Sequence, residues 1–330
     1  MKKLLSLFLL LTLTIIPLTS CQVFDSTQIR IGYMSGPTAM GMAKLIADNG
    51  GKEGSEKYSF TAYADTALAK ADLTKGEVDI ICLPTNEAVV YYKSADSNTR
   101  ILAINCLNSL FLISDKDNSV SSLAELEGKT IYTCKNGTPK MVLEYIISEL
   151  DLNITVSTTT PDGTKELVKP DDVKNEVING SLPYAVIPEP LITAAQLAIA
   201  SNGKNDEIAY SVDIDLGDEW DKISPNAPVT MGCIVTTQSF IDENPALLES
   251  FLNEYESSVN FVGSSQNLDT SAQYIADAKI MGAVPAAKKA LGNLCDAISY
   301  IDGAEMREAL DSFLTKVGLP VADDNFYYEK

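Results

Sequence analysis

The stretch Gly76-Glu-Val-Asp-Ile-Ile-Cys-Leu-Pro84-Thr85 has a counterpart of the same design in Gly180-Ser-Leu-Pro-Tyr-Ala-Val-Ile-Pro188-Glu189. Each copy has a turn glycine, then an apolar run, then a proline eight positions after the glycine. A continuous apolar run between such breaks is typical of a strand that is covered on both faces of a parallel sheet. The two copies therefore predict equivalent strands in two lobes of similar design.

A second pair of matching segments precedes these copies in the same order. Ser35-Gly36-Pro37-Thr38-Ala39-Met40 aligns with Asn136-Gly137-Thr138-Pro139-Lys140-Met141, again without a gap. Each segment is expected to join a strand to the start of a helix. The recurrence of both pairs strengthens the prediction of two lobes.

Apolar periodicity around these segments alternates between strands and helices. We expect strands at 29–33, 59–64, 78–83, 100–105 and 109–114, and helices at 38–49 and 66–74. The last hundred residues are expected to be mainly helical, with one helix starting at Asn244-Pro245 and the aromatic tail docking on a lobe. This alternation predicts an α/β fold with mixed, mostly parallel sheets.

The charge of the chain excludes several classes of function. It has 330 residues, 25 Lys and Arg against 45 Asp and Glu, no histidine, and a formal net charge of −20. Nucleic-acid binding is not expected, because affinity for phosphate backbones comes from clustered Lys and Arg. The lack of histidine excludes His-dependent catalytic triads and His-liganded zinc.

The cysteines predict no redox or metal chemistry. Those after residue 21 are odd in number and form no CxxC motif. Most lie in apolar runs, where a free thiol packs as a small hydrophobe. We favour buried structural thiols over a disulfide framework or a metal site, and expect neither metal nor cofactor. They are Cys82, Cys106, Cys134, Cys233 and Cys295.

The N-terminus has the architecture of an export signal. Lys2 and Lys3 precede an apolar run that is too short for a comfortable membrane span, which takes about 20 residues. The ending Leu18-Thr19-Ser20-Cys21 resembles a bacterial lipobox and implies cleavage before Cys21 and lipidation of its thiol. We therefore expect a signal peptide at 1–20, a lipidated tether at 21–27 and an extracytoplasmic, membrane-anchored protein. An ordinary secretory signal is the alternative.

Loops at the carboxyl ends of strands are the best candidates for a ligand site, since ligands of open α/β sheets bind there. Glycine allows close approach of the backbone, hydroxyls donate hydrogen bonds, and helix starts attract anionic or carbonyl groups. Helix capping alone is the competing interpretation, and no phosphate-binding glycine motif occurs. The candidates are Ser35, Gly36, Thr38, Tyr63, Thr85, Asn86, Asn136, Gly137 and Thr138.

Three longer motifs carry a resemblance to a known family. Leu123-Ala-Glu-Leu-Glu-Gly-Lys-Thr-Ile131, Gly180 to Pro190 and Phe240-Ile-Asp-Glu-Asn-Pro245 occur in the family's order. With the lipobox, they make the chain similar to solute-binding lipoproteins of ABC transporters, of the nitrate, sulfonate and thiamine-precursor type. The similarity extends over nearly the whole mature chain. Tyr184 departs from the family pattern, which has aspartate there.

The resemblance implies a periplasmic-binding-protein fold of the second type, with two hinge crossovers near Leu107-Asn108 and Pro228 to Cys233. Lobe one would be residues 28–107 plus 229–330, and lobe two residues 108–228. The implied ligand contacts are Ser35 to Thr38, Thr85-Asn86, Asn136 to Thr138, and Glu189. A monomer would close on a small solute and deliver it to an ABC permease, without catalysis.

Two other functions remain open at this point. A ligand-sensing surface lipoprotein would share every feature above but feed no transporter. A lyase on the same fold is the other alternative, although the lipobox opposes it because such enzymes act in the cytosol. The identity of the solute stays open between small anions and polar heterocycles.

Overall fold

The computed structural model describes residues 28–63, 65–94, 98–204 and 207–329. The predicted signal peptide, the tether and the lipidation site Cys21 lie outside these residues. No helix within the described ranges combines the length and apolar character needed to cross a bilayer.

Strands and helices alternate along most of the described chain. The strands are β1 (Ile29–Met34), β2 (Tyr58–Tyr63), β3 (Ile80–Pro84), β4 (Thr99–Cys106), β5 (Leu110–Asp115), β6 (Thr130–Tyr132), β7 (Thr155–Ser157), β8 (Tyr184–Pro188), β9 (Tyr210–Asp215) and β10 (Gly232–Thr237). The helices are α1 (Pro37–Met40), α2 (Ala43–Asp48), α3 (Thr66–Lys75), α4 (Thr85–Ser94), α5 (Thr138–Glu149), α6 (Pro170–Asn179), α7 (Leu191–Ser201), α8 (Leu216–Ile223), α9 (Gln238–Glu243), α10 (Pro245–Gly263), α11 (Leu268–Asp277), α12 (Val284–Gly292) and α13 (Gly303–Lys316). Short 3₁₀ helices occur at Gly51–Glu53, Leu123–Leu126, Ser265–Asn267, Cys295–Ala297 and Asp324–Phe326.

The strands form two sheets with the same topology. The first has the order β2-β1-β3-β10-β4 and the second has the order β7-β6-β8-β5-β9. In the first sheet β1 runs parallel to β2 and β3, while β10 is antiparallel to β3 and β4. In the second sheet β6 runs parallel to β7 and β8, while β5 is antiparallel to β8 and β9. The prediction of two similar α/β lobes with mixed sheets is confirmed.

The repeated stretches occupy equivalent places in the two sheets. Gly76 and Gly180 both end a helix in the left-handed conformation, with φ of 72° at each. The apolar runs after them form β3 and β8, which Pro84 and Pro188 terminate. Glycine is favoured at these helix ends because a side chain is strained at positive φ.

The helix predicted at 38–49 is wrong as a single element, because it is divided into α1 and α2. In an unbroken helix the amide of Leu45 would donate to the carbonyl of Gly41. Ser258 on α10 takes both groups instead, since its hydroxyl accepts from Leu45 N at 2.9 Å and donates to Gly41 O at 2.6 Å. A side chain inserted into the hydrogen-bond ladder breaks the helix.

The C-terminal helices complete the packing, and α10 and α11 lie against α2. The aromatic tail docks as expected, because Phe326 is fully buried and its ring centroid lies 4.9 Å from that of Tyr92. The predicted structural thiols are confirmed as buried and unpaired at each of the five positions named above. Burial raises the pKa of the Cys82 thiol to about 12, which keeps it protonated.

Candidate functional site

A cavity of about 1130 Å³ lies between the two sheets, at the carboxyl ends of β1, β3 and β8. The first sheet contributes the loop from Met34 to Thr38, Pro84 at the end of β3, and Met231 before β10. The second contributes Thr138 and the segment from Pro188 to Leu191. The stretch from Ala276 to Val284, between α11 and α12, forms a further part of the wall. Both lobes therefore share one cavity.

The cavity brings together part of the predicted set of site residues. Those that line it are Ser35, Gly36, Thr38, Thr138 and Glu189. The remaining predicted residues are not part of its described wall: Tyr63, Thr85, Asn86, Asn136 and Gly137. The prolines of the repeated stretch, Pro84 and Pro188, line it as a pair.

A hydrogen bond from Asn105 holds the cavity loop of the first lobe, Met34 to Thr38, in place. Its turn uses Gly36 at φ 124°, a conformation that side chains rarely adopt, and no atom lies within 4 Å of a Cβ placed there. The Thr38 carbonyl accepts a hydrogen bond from Asn105 Nδ2 at 2.8 Å. The same amide nitrogen donates to the Tyr255 hydroxyl at 2.8 Å. Gly232 leaves space for this group, because a Cβ there would lie 2.6 Å from Asn105 Oδ1.

The corresponding loop of the second lobe starts a longer helix. Gly137 has φ 98° and serves as the N-cap of α5, which Thr138 and Pro139 open. Glycine has no side chain to cap the helix, so this end lacks the hydroxyl or carboxylate that usually accepts from its first amides. Thr138 is buried at the cavity wall, whereas Asn136 and Gly137 are exposed. Only the first residue of α5 therefore reaches the cavity.

Two predicted contacts have their hydroxyls bonded within the first lobe, Thr85 in the interior and Tyr63 at a half-buried position. Thr85 is buried, and its hydroxyl donates to the Thr230 carbonyl at 2.6 Å. Tyr63 packs beside Gly32 and donates its hydroxyl to Asp72 at 2.9 Å. Burial and this carboxylate raise the pKa of Tyr63 to about 12. Both hydroxyls are engaged within the protein and do not face the cavity.

Glu189 closes the cavity wall with a buried carboxyl group. Its Oε1 accepts from Asn293 Nδ2 at 2.8 Å and from Thr193 Oγ1 at 3.1 Å, and its Oε2 accepts from Thr193 N at 3.2 Å. Burial raises the pKa of Glu189 above its usual range, while these hydrogen bonds oppose the shift. Because the oxygens are already occupied, Glu189 holds α7 against the segment after α12 and is not a free acceptor.

Sequence reasoning missed the apolar part of the wall. Met34, Met231 and Met281 line the cavity, and so does Ile280. Met231 lies within the predicted return crossover, Pro228 to Cys233, so a position between the lobes could have been inferred for it. Met281 lies in a non-helical link between α11 and α12, and neither its spacing nor its composition signals a site.

Several helices direct their first residues at the cavity. Thr66, Thr138, Pro170, Leu191 and Val284 each open a helix and line the wall. Three of these helix starts are capped from within the chain: Asp65 accepts from Leu68 N at 3.0 Å, Asp172 accepts from Lys169 N at 3.1 Å, and Glu189 accepts from Thr193 N. The starts of α5 and α12 follow Gly137 and Ala283, which provide no side-chain cap.

The acidic loop from Asp213 to Glu219 lies away from the cavity. Asp213 accepts from Ser114 Oγ at 2.5 Å and from Val120 N at 2.8 Å. Asp215 caps α8 through Gly217 N at 2.7 Å and accepts from Asn108 Nδ2 at 2.7 Å. These carboxylates therefore hold local turns and the first link between the sheets.

Comparisons with known proteins place this fold. No protein-family model matches the sequence, and no curated protein matches it either. An ABC transporter structure from Parabacteroides distasonis aligns with a TM-score of 0.67 and 18% identity, over 92% of this chain and 99% of that one. The periplasmic aliphatic sulphonate-binding protein SsuA from Escherichia coli aligns with a TM-score of 0.64 and 15% identity, over 92% of both chains.

The periplasmic nitrate-binding protein NrtA from Synechocystis PCC 6803 also aligns, with a TM-score of 0.58 and 13% identity, over 91% of this chain and 84% of that one. The chain has the fold of the periplasmic binding proteins. The predicted structural resemblance and the predicted fold class are thus confirmed. At these identities the similarity establishes the fold alone.

Proposed function

We propose that this chain is the extracytoplasmic solute-binding protein of an ABC importer. The observation that carries the proposal is one cavity lined from both sheets by the loops that follow β1 and β8. A solute between two lobes gains contacts from both when they close, so binding stabilises the closed form. The proposal needs no bond to be made or broken.

The lobes would move about two links, with lobe one as 28–107 plus 229–330 and lobe two as 108–228. The first link is short, since β4 ends at Cys106 and β5 begins at Leu110. Asn108 in this link lies against the start of α8, where a Cβ on Gly217 would be 2.8 Å from the Asn108 Cβ. A short, tied link supports a hinge, because it restricts the motion to a few backbone angles.

Attachment to the membrane belongs to the same proposal. Lipidation of Cys21 would hold a monomer at the extracytoplasmic face, beside the permease that receives the solute. We propose a binding role and not an enzymatic one. The sequence has no histidine, and Glu189, the buried carboxyl group of the wall, is already hydrogen-bonded. A sensor that feeds no transporter is the second candidate, and a lyase on this fold is the third.

A thermal-shift screen of the signal-free protein tests solute binding, because a ligand selective for the folded form raises its melting temperature. We expect at least one solute to raise it and to reduce the radius of gyration in solution scattering. No shift across sulfonates, nitrate, pyrimidines and apolar compounds would contradict solute binding.

Transport requires a second test, since a sensor would pass the first. We expect reconstituted vesicles that hold the cognate permease and its ATPase to take up the solute only when the binding protein is present. Binding without such uptake would favour the sensor.

A further inference from the structure

The chemistry of the cavity wall restricts the class of solute, if the proposed solute-binding function holds. Most wall residues between the rim and the strand ends are apolar. They include three methionines and five prolines: Met34, Met231, Met281, Pro37, Pro84, Pro170, Pro188 and Pro190. Ile280, Leu191 and Val284 extend the same surface. A wall of this kind removes apolar area from water when a ligand fills it.

The charges on the wall do not favour an anion. Among the described wall residues there is no arginine, and Lys279 is the one lysine. Lys279 and Asp277 are both exposed and contribute one positive and one negative charge to the wall. Asp171 adds a further negative charge, and the whole chain has a formal charge of −20. A charged oxyanion would enter this cavity without a dedicated cationic partner, which is costly in an apolar site.

The helix starts provide few free donors for a charged group. Carboxylates of the chain already cap α3, α6 and α7 at the cavity. The starts of α1, α5 and α12 have no side-chain cap, but each has a proline in its first two residues, which carries no amide hydrogen. The hydroxyl-bearing residues Ser35, Thr38 and Thr138 line the same wall. Such groups suit uncharged acceptors, for example a carbonyl, ether or hydroxyl oxygen.

From this wall we propose that the solute is an uncharged organic molecule with a large apolar body and one or two hydrogen-bond acceptors. The apolar body lies against Met34, Met231 and Met281, whose unbranched thioether side chains adapt to ligand shape. The acceptors face the start of α5. This class differs from nitrate and from short sulfonates, whose surface is mainly charged oxygen.

A matched pair of fluorescent probes tests the class. N-phenyl-1-naphthylamine is neutral, and 8-anilino-1-naphthalenesulfonate has the same aromatic body with one added sulfonate. We expect the neutral probe to bind one per chain, at least about tenfold more tightly than the sulfonate. We expect millimolar nitrate or ethanesulfonate to leave it bound. Linear alcohols should displace it, with a dissociation constant that falls about fourfold for each added methylene.

Variants locate the probe in the cavity. We expect Met231→Asp to weaken the neutral probe by about tenfold or more, because it places a carboxylate in the apolar wall. Met281→Asp, at the half-buried rim, is the second variant in case Met231→Asp does not fold. Val90→Asp is the matched control, since Val90 is 61% exposed on α4 and outside the cavity wall.

Each outcome decides the class. Tighter binding of the sulfonate probe, or displacement of the neutral probe by nitrate, would overturn the neutral apolar class and leave the proposed solute binding intact. Absence of neutral-probe binding, or equal weakening by Val90→Asp and both methionine variants, would also overturn the class. Failure of the binding function itself is separate, and would appear as no melting shift with any solute.

Discussion

The two lobes have the same sheet topology but differ where β10 and β5 occupy the equivalent antiparallel position. In the first sheet Gly232 pairs with Pro84, and in the second Leu110 pairs with Pro188. The first sheet requires glycine there because Asn105 and Thr38 occupy the space of a side chain. The second fills the equivalent position with a buried leucine. With the same topology, the first lobe has a polar network at this position that holds the cavity loop, and the second lobe has apolar core packing.

The largest expected change in stability comes from the second lobe, where a leucine packs in the core at this position. Leu110→Ala should lower the free energy of unfolding by about 2–5 kcal/mol, because Leu110 is fully buried and its removal leaves a cavity in the core. Urea unfolding measures this change. Leu197→Ala, at a residue 42% exposed on α7, is the control and should cost far less. Equal costs would contradict the packing role of Leu110.

In the first lobe, a leucine at the position equivalent to Leu110 should destabilise the protein. Gly232→Leu brings the residue of lobe two to the equivalent position and should cost about 1–3 kcal/mol, since it displaces Asn105 and the Thr38 methyl. Gly292→Ala is a suitable control, because no atom lies within 4 Å of a Cβ there. A neutral Gly232→Leu would show that the two lobes tolerate the same residue and would remove the contrast.

Substitution of the equivalent loop glycines, Gly36 and Gly137, should lower the stability of the protein by similar amounts. Gly36→Val and Gly137→Val each force a branched residue into an extended conformation at positive φ that essentially only glycine adopts, at a cost of about 1–3 kcal/mol, and should leave the fold intact. We expect both to abolish solute binding, as judged by the loss of the ligand-induced melting shift. Gly36 lines the cavity itself, whereas Gly137→Val would act by displacing Thr138, the next residue, which lines it. Normal binding by both would contradict the assignment of these loops to the site.

The pH dependence of stability tests the raised pKa of Glu189, the buried carboxyl group that the second lobe contributes to the cavity wall. Because the folded pKa of Glu189 is raised, the unfolded state releases its proton first, at about pH 4.3. The contribution of Glu189 to the free energy of unfolding is therefore largest below that pH, and it is lost as the pH rises through the pKa of the folded state. We expect the melting temperature of wild type, relative to Glu189→Gln, to fall between pH 4 and neutral pH. A constant difference would contradict the raised pKa.

The smallest effect is expected at Lys135, which aligns with Met34 in the repeat. Its ammonium lies 2.7 Å from Glu166, but both side chains are about half exposed. Exposed pairs contribute about 0–1 kcal/mol, so Lys135→Met should change thermal unfolding little. Binding should also be unchanged, because Lys135 is outside the cavity wall. Loss of binding would indicate a charged solute.

The repeat made the main architecture predictable from sequence. Glycine and proline have local conformational effects, so the spacing of Gly76 to Pro84 and Gly180 to Pro188 identified equivalent strands. The division of the first helix was not predictable, because Ser258 causes it from a distant part of the chain. The direction of Tyr63 likewise depends on Asp72, on the next helix. Met281 reaches the cavity only through the packing of the C-terminal helices, which no local pattern records.

The central position of β10 has a consequence for synthesis. In the first sheet β10 lies between β3 and β4, and within that sheet β4 pairs with β10 alone. On the ribosome β4 is therefore complete long before its partner strand, residues 232–237, exists. The second sheet uses a continuous stretch, from β5 to β9, and has all its strands earlier. The first lobe therefore stays incomplete until late in translation, and pairing across such long sequence separations is also slow.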